Sequence, residues 1–138
     1  MKLDDYRKFV DSITSDESKV YTSFLHRLAE LEASDAHMQG NINIPRLLTA
    51  AFGLVSEGGE FTEVVKKIIL QGKPYNEDNI YHMKRELGDI CWYLAQACMA
   101  LNTTFDEVIE MNVDKLQARY PGGEFNVHKS ENRKEGDL

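Results

Sequence analysis

Apolar residues recur at helical spacing along nearly the whole of this chain. Tyr6, Phe9, Val10 and Ile13 fall at i, i+3, i+4 and i+7, which predicts a short amphipathic helix over 3–13. Thr14 and Glu17 have the spacing of a capping box. A second helix is therefore expected to run from there to about Glu32, burying Val20, Tyr21, Phe24, Leu25, Leu28 and Leu31. Ser34 to Asn43 lacks a period and is rich in Asp, Gly, Asn and Gln, as a loop would be; His37 and Gln39 could touch a ligand there, although solvated polar residues are commoner in loops. Pro45 suits the first turn of a third helix. Its apolar faces, from Leu47 and Leu48 through Ala51, Phe52, Val55, Phe61, Val64, Val65 and Ile68 to Ile69, extend to about Leu70, and Gly72 and Pro74 end it. Asn76 is an N-cap for a fourth helix with Glu77 and Asp78 in its first turn. Ile80, Met83, Leu87, Ile90, Cys91, Leu94, Ala97, Cys98 and Leu101 make that helix apolar over a wide arc, and Asn102 stops it. Thr104 and Glu107 form another capping box, opening a helix to about Tyr120 with Phe105, Val108, Ile109 and Leu116 inward, before Pro121-Gly122-Gly123 breaks it.

No stretch alternates as a strand would, so the fold class is all-α, a bundle of four or five helices. It is expected to occupy one domain over 1–123, followed by a polar tail over 124–138 that would not fold alone. A length of 138 residues suits a single domain. No apolar run approaches the length of a membrane span, and the N-terminus has no signal-peptide core, so a cytoplasmic protein without membrane attachment is expected. The net charge of −7 argues against a broad grip on nucleic-acid phosphates. It leaves a nucleotide enzyme open, because bound metal screens acids that meet phosphate. Cys91 and Cys98 lie about 10 Å apart along one helix, too far for a disulfide, and are expected to be buried and reduced.

Four acids change the picture. Glu57 and Glu60 are three residues apart on the third helix, and Glu86 and Asp89 repeat the spacing on the fourth. Residues i and i+3 project from nearly the same side of a helix, so each pair is a two-carboxylate claw. If the claws face each other, the acids cannot all remain ionised without a cation, and an all-oxygen donor set suits a hard divalent ion such as Mg²⁺. Gly58 and Gly59 sit between the first two acids, and each costs about 1 kcal/mol relative to alanine inside a helix. A close approach of a neighbouring helix or a ligand is expected there.

The order E-x-x-E, about 25 residues, then E-x-x-D resembles the signature of the MazG-like all-α nucleoside triphosphate pyrophosphohydrolases. The flanking GLVSEGGE, VVKK, ELGDICWYL and NVDKLQARYP are similar to that family too, over about Ile44 to Pro121. Many members carry a further Glu where this chain has Ser56. The resemblance implies a homo-oligomeric enzyme, dimer or tetramer, that hydrolyses a nucleoside triphosphate to monophosphate and pyrophosphate. It implies Glu57, Glu60, Glu86 and Asp89 as catalytic metal ligands, with Mg²⁺ as the ion and Mn²⁺ as a substitute. On the helix after Thr104, Asn112, Lys115 and Arg119 share one face, and their amide, ammonium and guanidinium suit phosphate oxygens. In the family this segment, with Tyr120, contributes to the triphosphate site. Lys67, two turns after Glu60, could add a phosphate contact or form a solvated pair with Lys66. The competing reading is a non-catalytic helical module that binds a protein partner through its wide apolar helix. A di-iron bundle is disfavoured, since no Glu is followed three residues later by His.

Overall fold

Asp4 and Asp5 begin the first helix, where acids complement the positive end of the helix dipole. The computed structural model describes residues 2–34 and 42–132, and every regular element among them is helical. In order these are α1 (Leu3–Ile13), a 3₁₀ turn (Asp16–Ser18), α2 (Tyr21–Ser34), α3 (Ile44–Leu70), α4 (Glu77–Ala100), α5 (Phe105–Arg119) and α6 (Val127–Glu131). The all-α class follows, with six α-helices among the described residues once α6 is included. Residues 35–41, which hold most of the expected loop with His37 and Gln39, lie outside the described residues. The chain divides into two units, 1–44 and 45–138.

In the first unit, the expected capping box at Thr14 does not form. The Thr14 hydroxyl instead donates back to the Val10 carbonyl at 2.7 Å and closes α1. A 3₁₀ turn intervenes, so α2 begins only at Tyr21. Lys19 ties this turn to α1 by donating to the Asp11 carbonyl at 2.8 Å. Neither α1 nor α2 has a buried residue, and Val20, Tyr21, Phe24 and Leu25 of the expected stripe are exposed. Two short amphipathic helices can cover only part of each other's apolar stripes.

The second unit holds the acids. α3 and α4 run antiparallel, as their pairings show: Arg46 donates to Gln96 at 3.2 Å, Gly53 meets Tyr93, and Glu57 meets Glu86 further along. Gly72, with φ +73°, makes the left-handed turn that ends α3, and Lys73 N–H returns to the Lys67 carbonyl at 3.1 Å. The Asn76 side chain caps α4 by accepting from the Asn79 N–H at 3.1 Å. Thr104 caps α5 in the same way, accepting from the Glu107 N–H, while the Glu107 carboxylate takes a hydrogen bond from the neighbouring Thr103 hydroxyl.

The buried residues of α3 and α4 are mostly small: Ala50, Gly53, Val64, Cys98 and Ala100. Large residues expected inside are not covered. Phe52, Val55 and Ile69 on α3 and Leu87 on α4 are exposed, as are Phe105, Ile109 and Leu116 on α5. Two helices approach closely only where their side chains are small, so bulky neighbours flank the seam. Cys91 is likewise exposed, contrary to expectation, while Cys98 is buried and both are free thiols.

The close approach of a neighbouring helix falls at Gly53 and not at Gly58 or Gly59. A Cβ at Gly58 or Gly59 would meet no atom within 4 Å, whereas one at Gly53 would lie 2.0 Å from the Tyr93 ring. Gly53→Ala should therefore cost about 1–3 kcal/mol through overpacking. Gly59→Ala should stabilise the ligand-free protein by up to about 1 kcal/mol. Urea denaturation of both variants checks the contrast; equal effects would show that Gly53 is not the tight point.

Within the segment read as a polar tail, Asn126 caps α6 by accepting from the Lys129 N–H at 3.1 Å. An Asn directly before Val127 was the available local signal for this short helix.

Candidate metal centre

The helical claw spacing is realised on α3, where Glu57 and Glu60 project together, and the antiparallel pairing brings α4 alongside. Carboxylate oxygens of Glu57, Glu60 and Glu86 all lie within 4.8 Å of one another. Glu86 is buried, with 6% of its surface exposed, Glu57 is half-buried and Glu60 is exposed. The site is therefore graded from closed to open. Asp89, one turn beyond Glu86, is exposed and falls outside this triad, yet its charge reaches Glu57.

Partial burial raises the pKa of the Glu57 carboxyl above its ordinary value. The charges of Glu60, Asp89 and Glu86 push it the same way, and a side-chain hydrogen bond with Glu86 adds to the rise. Such a cluster favours whatever neutralises it, either a shared proton or a cation. The donors are all carboxylate oxygens, the set preferred by a hard divalent ion and poorly suited to a thiophilic one. These residues thus fit a divalent cation, with Asp89 beside them as a further acid.

His82 was not singled out by sequence reasoning. Its Nε2 lies 2.9 Å from Glu86 Oε1, one turn earlier on α4. The i, i+4 spacing to Glu86 was the signal.

The residues expected to meet phosphate are distributed differently. Lys67 pairs with Glu63 at 3.0 Å, and Lys66 pairs with the same carboxylate. Hydrogen bonds from Lys66 and then Lys67 hold the Glu63 carboxyl below its usual range. Asn112 and Lys115 line an open groove with Leu101, Thr103, Glu107, Val108 and Met111. Arg119 lines a separate, smaller depression with Pro121, Lys129 and Asn132. Tyr120 packs against Phe125, with ring centroids 5.9 Å apart. No acid of the triad is among the described residues lining either cavity.

No helix among the described residues is long and apolar enough to cross a membrane. A search of solved structures finds no match. The chain is 35% identical over 82 residues to the Gene 37 protein of Mycobacterium phage L5, an alignment covering 59% of this chain and 72% of the phage protein. Residues 46–123 match the MazG nucleotide pyrophosphohydrolase domain. That span takes in α3 from its first turn, the whole acidic cluster, α4 and α5. The chain belongs to the MazG nucleotide pyrophosphohydrolase family.

Proposed function

We propose that the protein is a Mg²⁺-dependent nucleoside triphosphate pyrophosphohydrolase, splitting a ribo- or deoxyribonucleoside triphosphate into the monophosphate and pyrophosphate. The observation that carries this reading is the triad of Glu57, Glu60 and Glu86 inside the family's own segment. Glu57, Glu60 and Glu86 would hold the ion, with Asp89 adding charge or a further ligand from one turn away. When bound, Mg²⁺, or Mn²⁺ in its place, would draw electron density from the phosphates and make a coordinated water more acidic.

The chain's own residues would do the rest. Water attacks phosphorus, the oxygen bridge between the α- and β-phosphates breaks, and pyrophosphate departs as the leaving group. Glu60 is the residue assigned to take the water's proton. It is the exposed member of the triad, whereas Glu86 is buried against His82 and Glu57. A base must reach its proton within hydrogen-bond distance, and the open side of the cluster gives a water that access. Asn112, Lys115 and Arg119 are assigned to the phosphate chain, with Tyr120 beside them. Lys67 would contribute only after leaving Glu63, which now holds it.

Uncovered apolar side chains support assembly with further copies of the same chain, as a dimer or tetramer. Phe52, Val55 and Ile69 on α3 and Leu87 and Trp92 on α4 are large apolar residues left exposed, and burial against another copy would cover them. Light scattering coupled to gel filtration tests this; a monomer at micromolar concentration would refute it.

Incubation with Mg²⁺ and each ribo- and deoxyribonucleoside triphosphate, with separation of the products, tests the activity. Monophosphate and pyrophosphate in equal amounts are expected from at least one substrate. Release of inorganic phosphate instead, or no turnover of any substrate, would overturn the proposal.

Removing the phosphate contacts should have its own kinetic signature. Lys115→Ala and Arg119→Ala should each lower kcat/KM by about ten- to a hundredfold, the loss expected for a charge-assisted contact worth about 1.5–3 kcal/mol. If each contact is equally strong in ground and transition states, KM should rise more than kcat falls. Arg119→Lys should not fully restore the parent value, because an ammonium lacks the guanidinium's two-pronged fork. Parent-like kinetics in both alanine variants would place this helix face outside the substrate site.

A further inference from the structure

The buried member of the acidic triad has a neighbour with no assigned role. Glu86 is 6% exposed, and a carboxylate that deep is costly unless hydrogen bonds compensate for lost water. His82 Nε2 stands 2.9 Å from Glu86 Oε1, one helical turn away. At that separation the ring nitrogen is in direct polar contact with the carboxylate. The two residues share one face of α4 through i, i+4 spacing. Glu86 also meets Glu57 across the helix pair. It is thus gripped from its own helix while it faces the other.

We propose that His82 is a positioning residue, whose Nε2 contact holds the Glu86 carboxylate in the orientation that meets Glu57 and Glu60 and thereby strengthens cation binding. His82 is not itself a ligand, for the oxygens that cluster are those of Glu57, Glu60 and Glu86. The energetic reasoning concerns freedom of motion. A glutamate side chain has several rotamers, and a cation site formed by three of them must order all three before binding. A polar contact made in advance removes part of that cost. The imidazole side chain is half exposed, so it can be replaced without opening a cavity in the core. Hydrogen-bond partners of metal ligands typically change affinity by about 10–100-fold when removed.

This inference rests on the reading of the triad as a divalent-cation site, and its test separates the two. Mn²⁺ binding to the full chain is measured by electron paramagnetic resonance for the parent, His82→Ala and His82→Gln, with circular dichroism to verify helicity. The parent should bind Mn²⁺, and His82→Ala should bind about 10–100-fold more weakly with helicity unchanged. His82→Gln, whose amide N–H can reach the same oxygen, should recover most of the affinity. A role confined to helix stability would lower the melting temperature in chelator while leaving Mn²⁺ affinity untouched. Parent-like affinity in His82→Ala, or no recovery in His82→Gln, overturns the positioning role while leaving the cation site intact. A parent that binds no Mn²⁺ overturns the cation site and this inference with it.

Discussion

Glu57→Gln and Glu86→Gln should leave the helices in place and remove most of the turnover. Each exchange keeps the side chain's length and replaces a charged oxygen pair with a neutral amide. The acids of the triad lie within 4.8 Å of one another, so each is expected to hold the same ion. An ion that stabilises developing charge on phosphate contributes several kcal/mol, so a loss of about a hundredfold or more in kcat/KM is expected. Glu57→Gln also relieves the repulsion that raises its own pKa, so the ligand-free variant should melt no lower than the parent. Asp89→Asn is expected to be milder, since Asp89 acts on Glu57 from outside the triad. Steady-state kinetics with circular dichroism checks all three. Near-full turnover in Glu57→Gln or Glu86→Gln would remove that residue from the metal centre.

Mg²⁺ should raise the melting temperature of the parent, and by an amount that depends on pH. At an ion concentration near 100 times Kd, a single site specific to the folded state adds about 2.7 kcal/mol, or roughly 10 °C for a chain of this size. The sign of the pH effect follows from Glu57. Its carboxyl has a folded pKa raised above the ordinary value of 4.5, first by partial burial and then by neighbouring charge. The folded protein therefore keeps this proton to higher pH than the unfolded chain does. Without metal, the resulting stabilisation is fully present below the unfolded pKa and is lost as pH rises through the folded one. Metal reverses the trend, because a carboxylate must lose its proton to bind the ion, and the Mg²⁺-induced rise should grow across the same window. Thermal melts at several pH values, with Mg²⁺ and with chelator, measure both slopes. Melting that ignores Mg²⁺ and chelator at every pH would refute the site.

Helices and their ends were largely legible in the sequence, because their causes are local. Asn76 and Thr104 cap α4 and α5 as their positions predict, and Gly72 turns the chain out of α3. Thr14 misled because its hydroxyl has two possible backbone partners, and the carbonyl behind it in α1 won over the N–H ahead. Periodicity identified apolar faces but not what covers them. Phe52 and Val55 have the spacing of core residues, yet the described part of the chain leaves them exposed. The acid pairs were legible individually because i, i+3 is a property of one helix. Their meeting depends on how α3 and α4 are set against each other, and no local rule fixes that. His82 went unnoticed for a related reason. A histidine four residues before a glutamate becomes informative only once that glutamate is known to be buried.

The fit of Gly53 beneath the Tyr93 ring has a bearing on chemistry that neither residue performs. Gly53 lies one turn before Glu57 on α3, and Tyr93 one turn after Asp89 on α4. Only a residue without a Cβ can occupy that spot, and the neighbours on the same face, Ala50 and Glu57, each carry one. Sliding one helix past the other by a turn would bring one of these Cβ atoms against the ring. The contact therefore works as a vernier, fixing the longitudinal setting of α3 against α4 and with it the level at which Glu57 faces Glu86. A side chain at position 53 would shift that setting, and the acids would miss one another even though each was still present.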